Sequence, residues 1–261
     1  DLLAGRQYPP LVMDALGAWD VTLGSPTVIV AVLDNGVQLD HPDLAPNIWI
    51  NSDEIAGNGI DDDNNGYVDD VHGVDTILPF LARHGETAWS RSGQYTGRTD
   101  LPLTEEGERQ ALAAGEVLRG VAFDRIYTSP LQPAARTAEL AGFPDATPLP
   151  DALEWHYGDY EGHTGDMLRA RDPSYLLWTH AIPGGESLAE VAARADLVIA
   201  RVRGSGLRRT LLVSHGHFSR ILAARWLGLP AGCAQHFPLA TAKVCTLGWD
   251  HGLPALLRWG L

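Results

Sequence analysis

Ile77-Leu78-Pro79-Phe80-Leu81-Ala82-Arg83-His84-Gly85-Glu86-Thr87 reads as a short apolar strand that stops at an arginine and a histidine. Far downstream, Thr210-Leu211-Leu212-Val213 runs in the same way into Ser214-His215-Gly216-His217. In open α/β sheets the active site lies beyond the carboxyl ends of the strands, and both histidines fall at such ends. A neutral imidazole nitrogen can attack phosphorus in line while fixed cations hold the equatorial oxygens. Arg83 supplies one such cation, because a guanidinium is always charged and forks onto two phosphate oxygens. His215 would donate a hydrogen bond and, if protonated, add positive charge. The leaving alkoxide also needs a proton, best supplied by a carboxylic acid with a raised pKa. Glu154, in Leu153-Glu154-Trp155-His156-Tyr157-Gly158, sits among apolar and aromatic neighbours that favour this. None of these roles requires a metal.

From residue 76 onward, short apolar strands alternate with amphipathic helices, which predicts a layered α/β domain with a largely parallel sheet. Strands are expected at 77–82, 125–128, 210–213, 243–249 and 255–258. Helices are expected from a Thr104 cap to about Arg119, from Gln132 to Leu140, from Glu186 to Val202 and from Phe218 to Leu227. The segment from Gly158 to Pro183 carries Tyr160, Met167, Tyr175 and Trp178, and is expected to cover the site and set substrate choice.

Six blocks in order resemble the histidine phosphatase superfamily, which includes phosphoglycerate mutases and acid phosphatases. They are Arg83 to Thr87 with Trp89, Tyr95 to Thr104, Ser129-Pro130-Leu131, Glu154 to Gly162, Gly184 to Ser187, and Ser214-His215-Gly216. The resemblance covers roughly residues 76–250 and implies a three-layer α/β/α fold with a mostly parallel sheet, as in phosphoglycerate mutases. It implies that His84 becomes phosphorylated, that Arg83 and His215 bind the phosphoryl group, and that Glu154 is the proton donor. Thr96 and Gly97 would line the site. In the block Ser129 to Ala138, Pro133 stands where the family has a phosphate-clamping arginine. On a helix, Arg136 lies three residues on, about 60° round, within reach of a long side chain as a substitute. Ser90 occupies a substrate-binding position where relatives often carry asparagine.

His163, His180, His236 and His251 lack such neighbours and read as exposed or structural histidines. His156 and His217 adjoin proposed site residues, where they would shape a leaving-group pocket. The reading these residues favour is a phosphomonoester hydrolase acting through phosphohistidine on small phosphorylated metabolites, with no catalytic cofactor. A mutase would return the phosphoryl group to its substrate and needs cations for a second anionic group, for which the cover segment offers only Arg169 and Arg171. A third reading, prompted by Pro133, is a catalytically impaired phosphate- or calcium-binding module.

Of the 261 residues and net charge of −14, nearly all the charge lies before residue 76. That part has one basic residue, Arg6, against fourteen acidic ones, a net of −13, whereas the remainder carries 18 and 19, a net of −1. Such asymmetry marks two sources of sequence, 1–75 and 76–261. Val28 to Val37 and His41-Pro42-Asp43-Leu44 resemble the start of a subtilisin-like serine protease, with Asp34 at its catalytic aspartate. The blocks carrying that family's histidine and serine are missing, so proteolysis by a triad is not expected. The combination resembles a chimera. Asp61, Asp63, Asn65 and Asp69, spaced around Gly66, match the opening of a calcium loop, although His72 stands where the bidentate glutamate belongs. Two cysteines, Cys233 and Cys245, imply no disulfide framework. The acidic balance argues against nucleic acid, and no apolar span suggests a membrane segment, so a cytoplasmic protein is expected.

Overall fold

A computed structural model describes residues 77–205, 207–250 and 253–261, together with positions 42, 46, 48, 50–53, 55 and 62. The chain separates into two units, Asp1–Ile50 and Asn51–Leu261. In the first only Pro42, Pro46, Ile48 and Ile50 are described, and the sheet belongs wholly to the second. The subtilisin-like aspartate Asp34 and the calcium-loop residues Asp61, Asp63, Asn65 and Asp69 lie outside the described residues.

In chain order the elements are β1 (Leu78–Arg83), α1 (Ala88–Ser92), α2 (Glu105–Leu118), β2 (Arg125–Thr128), α3 (Gln132–Leu140) and β3 (Thr147–Pro148). They continue with α4 (Gly165–Arg171), α5 (Leu188–Arg203), β4 (Arg209–Ser214), α6 (Gly216–Trp226), β5 (Val244–Asp250) and β6 (Leu253–Arg258). Four helices start at a capping side chain, Thr87, Thr104, Thr164 and Ser187. Thr104 accepts from the Gly107 amide, with Glu105, Glu106 and Glu108 in the first turn of α2 to oppose its dipole. Ser187 and Glu190 form a reciprocal capping box that opens α5 two residues later than the sequence suggested.

The six strands are ordered β3-β2-β4-β1-β5-β6. The ladders among β3, β2, β4 and β1 are parallel, whereas β1–β5 and β5–β6 are antiparallel. The expectation of a mostly parallel sheet is corrected to a mixed one. The short link from Asp250 to Leu253 accounts for the antiparallel β5–β6 ladder, since a parallel connection needs a crossover of a dozen or more residues.

Strand residues alternate between two cores, as a period of two requires. Leu81, Leu212, Cys245 and Leu247 face a cluster with Val191, Ala195 and Val198 of α5 and Phe218, Ile221 and Leu222 of α6. Ala82, Leu211, Val213 and Val244 face another with Ala114 and Leu118 of α2 and Ala134 and Ala138 of α3. Helices therefore cover both faces. Among the described residues no helix is long and apolar enough to cross a membrane.

One register positions the site. Arg83 of β1 pairs with Ser214 of β4, so the two parallel strands end level with one another. The His84 amide continues the ladder by donating to the Ser214 carbonyl at 2.9 Å, and His84 and His215 leave the sheet side by side.

Candidate active site

The chain turns sharply after β1 because two glycines let backbone meet backbone. A Cβ on Gly85 would lie 2.3 Å from the Gly107 carbonyl oxygen, and one on Gly107 would lie 2.1 Å from that of Glu86. The turn also fixes the His84 ring, whose Nδ1 lies 2.7 Å from the Gly85 carbonyl oxygen. A carbonyl only accepts, so the neutral ring carries its hydrogen on Nδ1 and presents a free electron pair on Nε2. Burial, then the charge of Arg83, pushes the His84 pKa down to about 3. The ring is thus unprotonated at neutral pH, as a nucleophile must be.

His215 is 3 % exposed and packs against His84, with ring centroids 5.1 Å apart and planes crossed at 65°. Its Nε2 lies 2.7 Å from the Ser129 hydroxyl, at the end of β2. Burial, then His84 and Arg83, holds it well below the ordinary imidazole pKa. In the free protein His215 is neutral, so it offers a hydrogen bond rather than the positive charge considered from sequence.

Arg83 is anchored by Nη1, which donates to the Leu239 carbonyl at 2.5 Å, while its buried Nε has no hydrogen-bond partner among the described residues. Its guanidinium lies against Gly216, where a Cβ would stand 3.1 Å from Cζ. Burial lowers its pKa, but from so high a value that it stays cationic.

Glu154 sits on the N-terminus of α6. Its Oε1 accepts from the amides of Trp155 (2.9 Å) and Phe218 (2.8 Å), and its Oε2 from that of His217 (2.9 Å). Burial raises its pKa, and these three amides and Arg83 oppose the rise without reversing it. Oε2, with a single amide partner, is the oxygen with room for a proton. Arg194 holds the supporting loop: Nη1 donates to the carbonyls of Asp151 and Leu153 (both 2.8 Å), Nη2 to that of Glu154 (3.2 Å). The same guanidinium forks onto Glu186.

A cavity of about 150 Å³ brings Arg83, His84, Glu154, Ser90 and Thr96 together. Ser90 is partly engaged, accepting from the Thr87 amide at 2.8 Å. Gly97 is not in the wall: its amide donates to Glu161 at 3.1 Å, and a Cβ there would meet the Trp155 carbonyl oxygen at 2.5 Å. Arg136 is not in the wall either, which corrects its expected role as a substitute clamp. It lies on the side of α3 that faces α2 and is held by Glu108 at 3.0 Å and Glu139 at 2.9 Å. Pro133 itself is buried at the start of α3. Sequence reasoning missed Gln94, Tyr95, Leu239 and Arg220, which also line the cavity. Tyr95 adjoins Thr96 in the sequence, and Arg220 follows His217 by three residues on one helix face, a spacing that by itself does not tell a lining cation from a solvated one.

A sequence profile described as Histidine phosphatase superfamily (branch 1) matches residues 80–261. The chain belongs to this superfamily. Among its relatives, this histidine phosphatase is 41 % identical over 192 residues to an acid phosphatase of Mycobacterium tuberculosis, covering 72 % of this chain and 95 % of that protein. It is 35 % identical over 168 residues to an adenosylcobalamin/alpha-ribazole phosphatase of Salmonella typhimurium, covering 60 % and 83 %. A solved structure of a Mycobacterium tuberculosis open reading frame superposes with a TM-score of 0.67 at 40 % identity, covering 71 % of this chain and 97 % of that one. The α/β fold of this histidine phosphatase is thus that of its family.

Proposed function

We propose that this histidine phosphatase hydrolyses small phosphomonoesters in two steps through residues of the 76–261 segment. His84 Nε2 attacks phosphorus and the bond from phosphorus to the ester oxygen breaks. Glu154 gives its proton to the departing alkoxide. Water then attacks the phosphohistidine, giving its proton to the Glu154 carboxylate as the phosphorus–nitrogen bond breaks and His84 is regenerated. Arg83 holds equatorial oxygens throughout, and His215 is near enough to hydrogen-bond an oxygen of a group carried on His84. No step calls on a metal.

The observation that carries this reading is the pairing of an unprotonated Nε2 with a buried carboxyl of raised pKa on one cavity wall. The names of the relatives support it, an acid phosphatase and an adenosylcobalamin/alpha-ribazole phosphatase. Hydrolysis is favoured over mutase transfer by the 41 % identity to an acid phosphatase; Arg169 and Arg171 do not line the cavity, and Arg169 is paired with Asp166 at 2.6 Å. The test is to supply 3-phosphoglycerate and follow inorganic phosphate and 2-phosphoglycerate together. Phosphate release in excess chelator is expected. Isomerisation outpacing release would replace this reading with the mutase one.

A further inference from the structure

Beyond Arg83, the cavity wall carries one more fixed positive charge, Arg220. It follows His217 by three residues on α6, so the two side chains share a helix face, and both line the cavity. Its Nε and Nη2 donate to the carbonyls of Ala234 (3.1 Å) and Gln235 (3.0 Å), and its Cζ lies 4.8 Å over the Trp178 ring. These contacts fix the plane of the guanidinium and leave Nη1 without a hydrogen bond to any described residue. A guanidinium so held loses little freedom when it binds an anion.

Its place relative to the chemistry is asymmetric. The His217 amide, one turn before Arg220, donates to Glu154 Oε2 at 2.9 Å, and the Trp178 ring under the Arg220 guanidinium lies 5.4 Å from the His217 ring. Arg83, by contrast, precedes His84 directly on β1. Arg220 therefore stands on the proton-donor side, where the alcohol departs. The other groups there carry no charge: the Tyr157 hydroxyl and His217 Nδ1 are 2.7 Å apart, and Tyr95 stacks on Tyr157 at 4.8 Å.

We propose that Arg220, backed by Trp178, is an anion subsite for the leaving group, so that the preferred substrates are phosphomonoesters whose alcohol bears a carboxylate or a second phosphate. This rests on the phosphatase reading and narrows its substrate class. A charge-assisted hydrogen bond of this kind changes kcat/KM by about ten- to a hundred-fold.

The test uses matched pairs: glycerol 3-phosphate against 3-phosphoglycerate, and propane-1,3-diol monophosphate against its bisphosphate. The wild-type protein should favour the charged member of at least one pair, and the pair that responds tells carboxylate from phosphate. Arg220→Gln should erase that preference mainly through KM, and Arg220→Lys should restore part of it. A second measurement needs no variant: glycerate should compete against p-nitrophenyl phosphate, whereas glycerol should not. Equal rates within both pairs, or an Arg220→Gln loss equal for both members, would overturn the subsite while leaving the phosphatase reading intact. Undiminished hydrolysis in His84→Ala would instead sink that reading.

Discussion

The rings of His84 and His215 stand 5.1 Å apart at the ends of two paired parallel strands, held level by the register of Arg83 with Ser214. The arrangement is backbone-made: the His84 amide bonds the Ser214 carbonyl, and no side-chain contact is needed to bring the rings together. What side chains add is orientation, through the Gly85 carbonyl on one ring and the Ser129 hydroxyl on the other. Ser129→Ala should lower kcat by roughly ten-fold, the worth of about one neutral hydrogen bond, with little change in KM for p-nitrophenyl phosphate. An unchanged kcat would show that the His215 ring needs no such tether.

Proton donation by Glu154 makes its variant sensitive to the leaving group. General acids contribute about 10²- to 10⁴-fold, and least where the departing oxygen is already a weak base. Glu154→Gln should therefore reduce turnover of an alkyl phosphate by that factor and of p-nitrophenyl phosphate far less. Glutamine also replaces an acceptor with a donor facing at least one backbone amide, so a loss of about 1–3 kcal/mol in stability is expected. Rate profiles on the two esters, with denaturant curves alongside, check both. Equal losses on the two esters would remove the acid role.

The buried imidazoles make stability depend on pH in a definite direction. His84 and His217 are both pushed down to about 3 from 6.5, so between those values the unfolded chain takes up protons that the folded one refuses. Stability on their account is full above pH 6.5 and is lost as pH falls toward 3. His215 acts in the same direction, and Glu154, whose pKa is raised, in the opposite one. The urea midpoint should be lower at pH 5 than at pH 7, and His217→Phe should shrink the difference. A midpoint that rises toward pH 5 would contradict the burial of neutral rings.

Arg194 joins three loop carbonyls and Glu186 with side chains only 16 % and 18 % exposed. Arg194→Met would leave Glu186 with the His156 amide and a distant Arg98 at 4.0 Å. Destabilisation of about 3 kcal/mol is expected, toward the lower end for a buried pair because both partners keep some solvent. The melting temperature should fall, and turnover of alkyl phosphates should fall with it as Glu154 loses its support. Arg194→Lys should recover the charge but not the fork, and so only part of the loss.

How much of this was legible in the sequence follows from where each side chain sits. His84, Arg83 and His215 follow directly from apolar strands, so the end of a period-two pattern pointed straight at them. Glu154 was legible from its aromatic neighbours, because those neighbours are what bury it. Arg136 misled because helical reach says how far an arginine can extend but not that Glu108 and Glu139 are nearer. Arg220 was invisible for the converse reason: on a helix an arginine reads as a solvated cation until the cover residue Trp178 and the carbonyls after α6 close around it. The helices α1 and α4 and the two-residue β3 are too short to show a period, and of the antiparallel edge only the β5–β6 pairing follows from a short connection.

The central claim is that phosphorus becomes bonded to His84. The most direct measurement is rapid quench in base of the protein mixed with a ³²P-labelled phosphomonoester, followed by digestion and mapping of the labelled peptide. An acid-labile, base-stable label on the peptide bearing His84, absent from His84→Ala and formed no more slowly than phosphate is released, is the expected result. Phosphate release with no protein-bound label, under conditions that slow hydrolysis of the intermediate, would contradict the account.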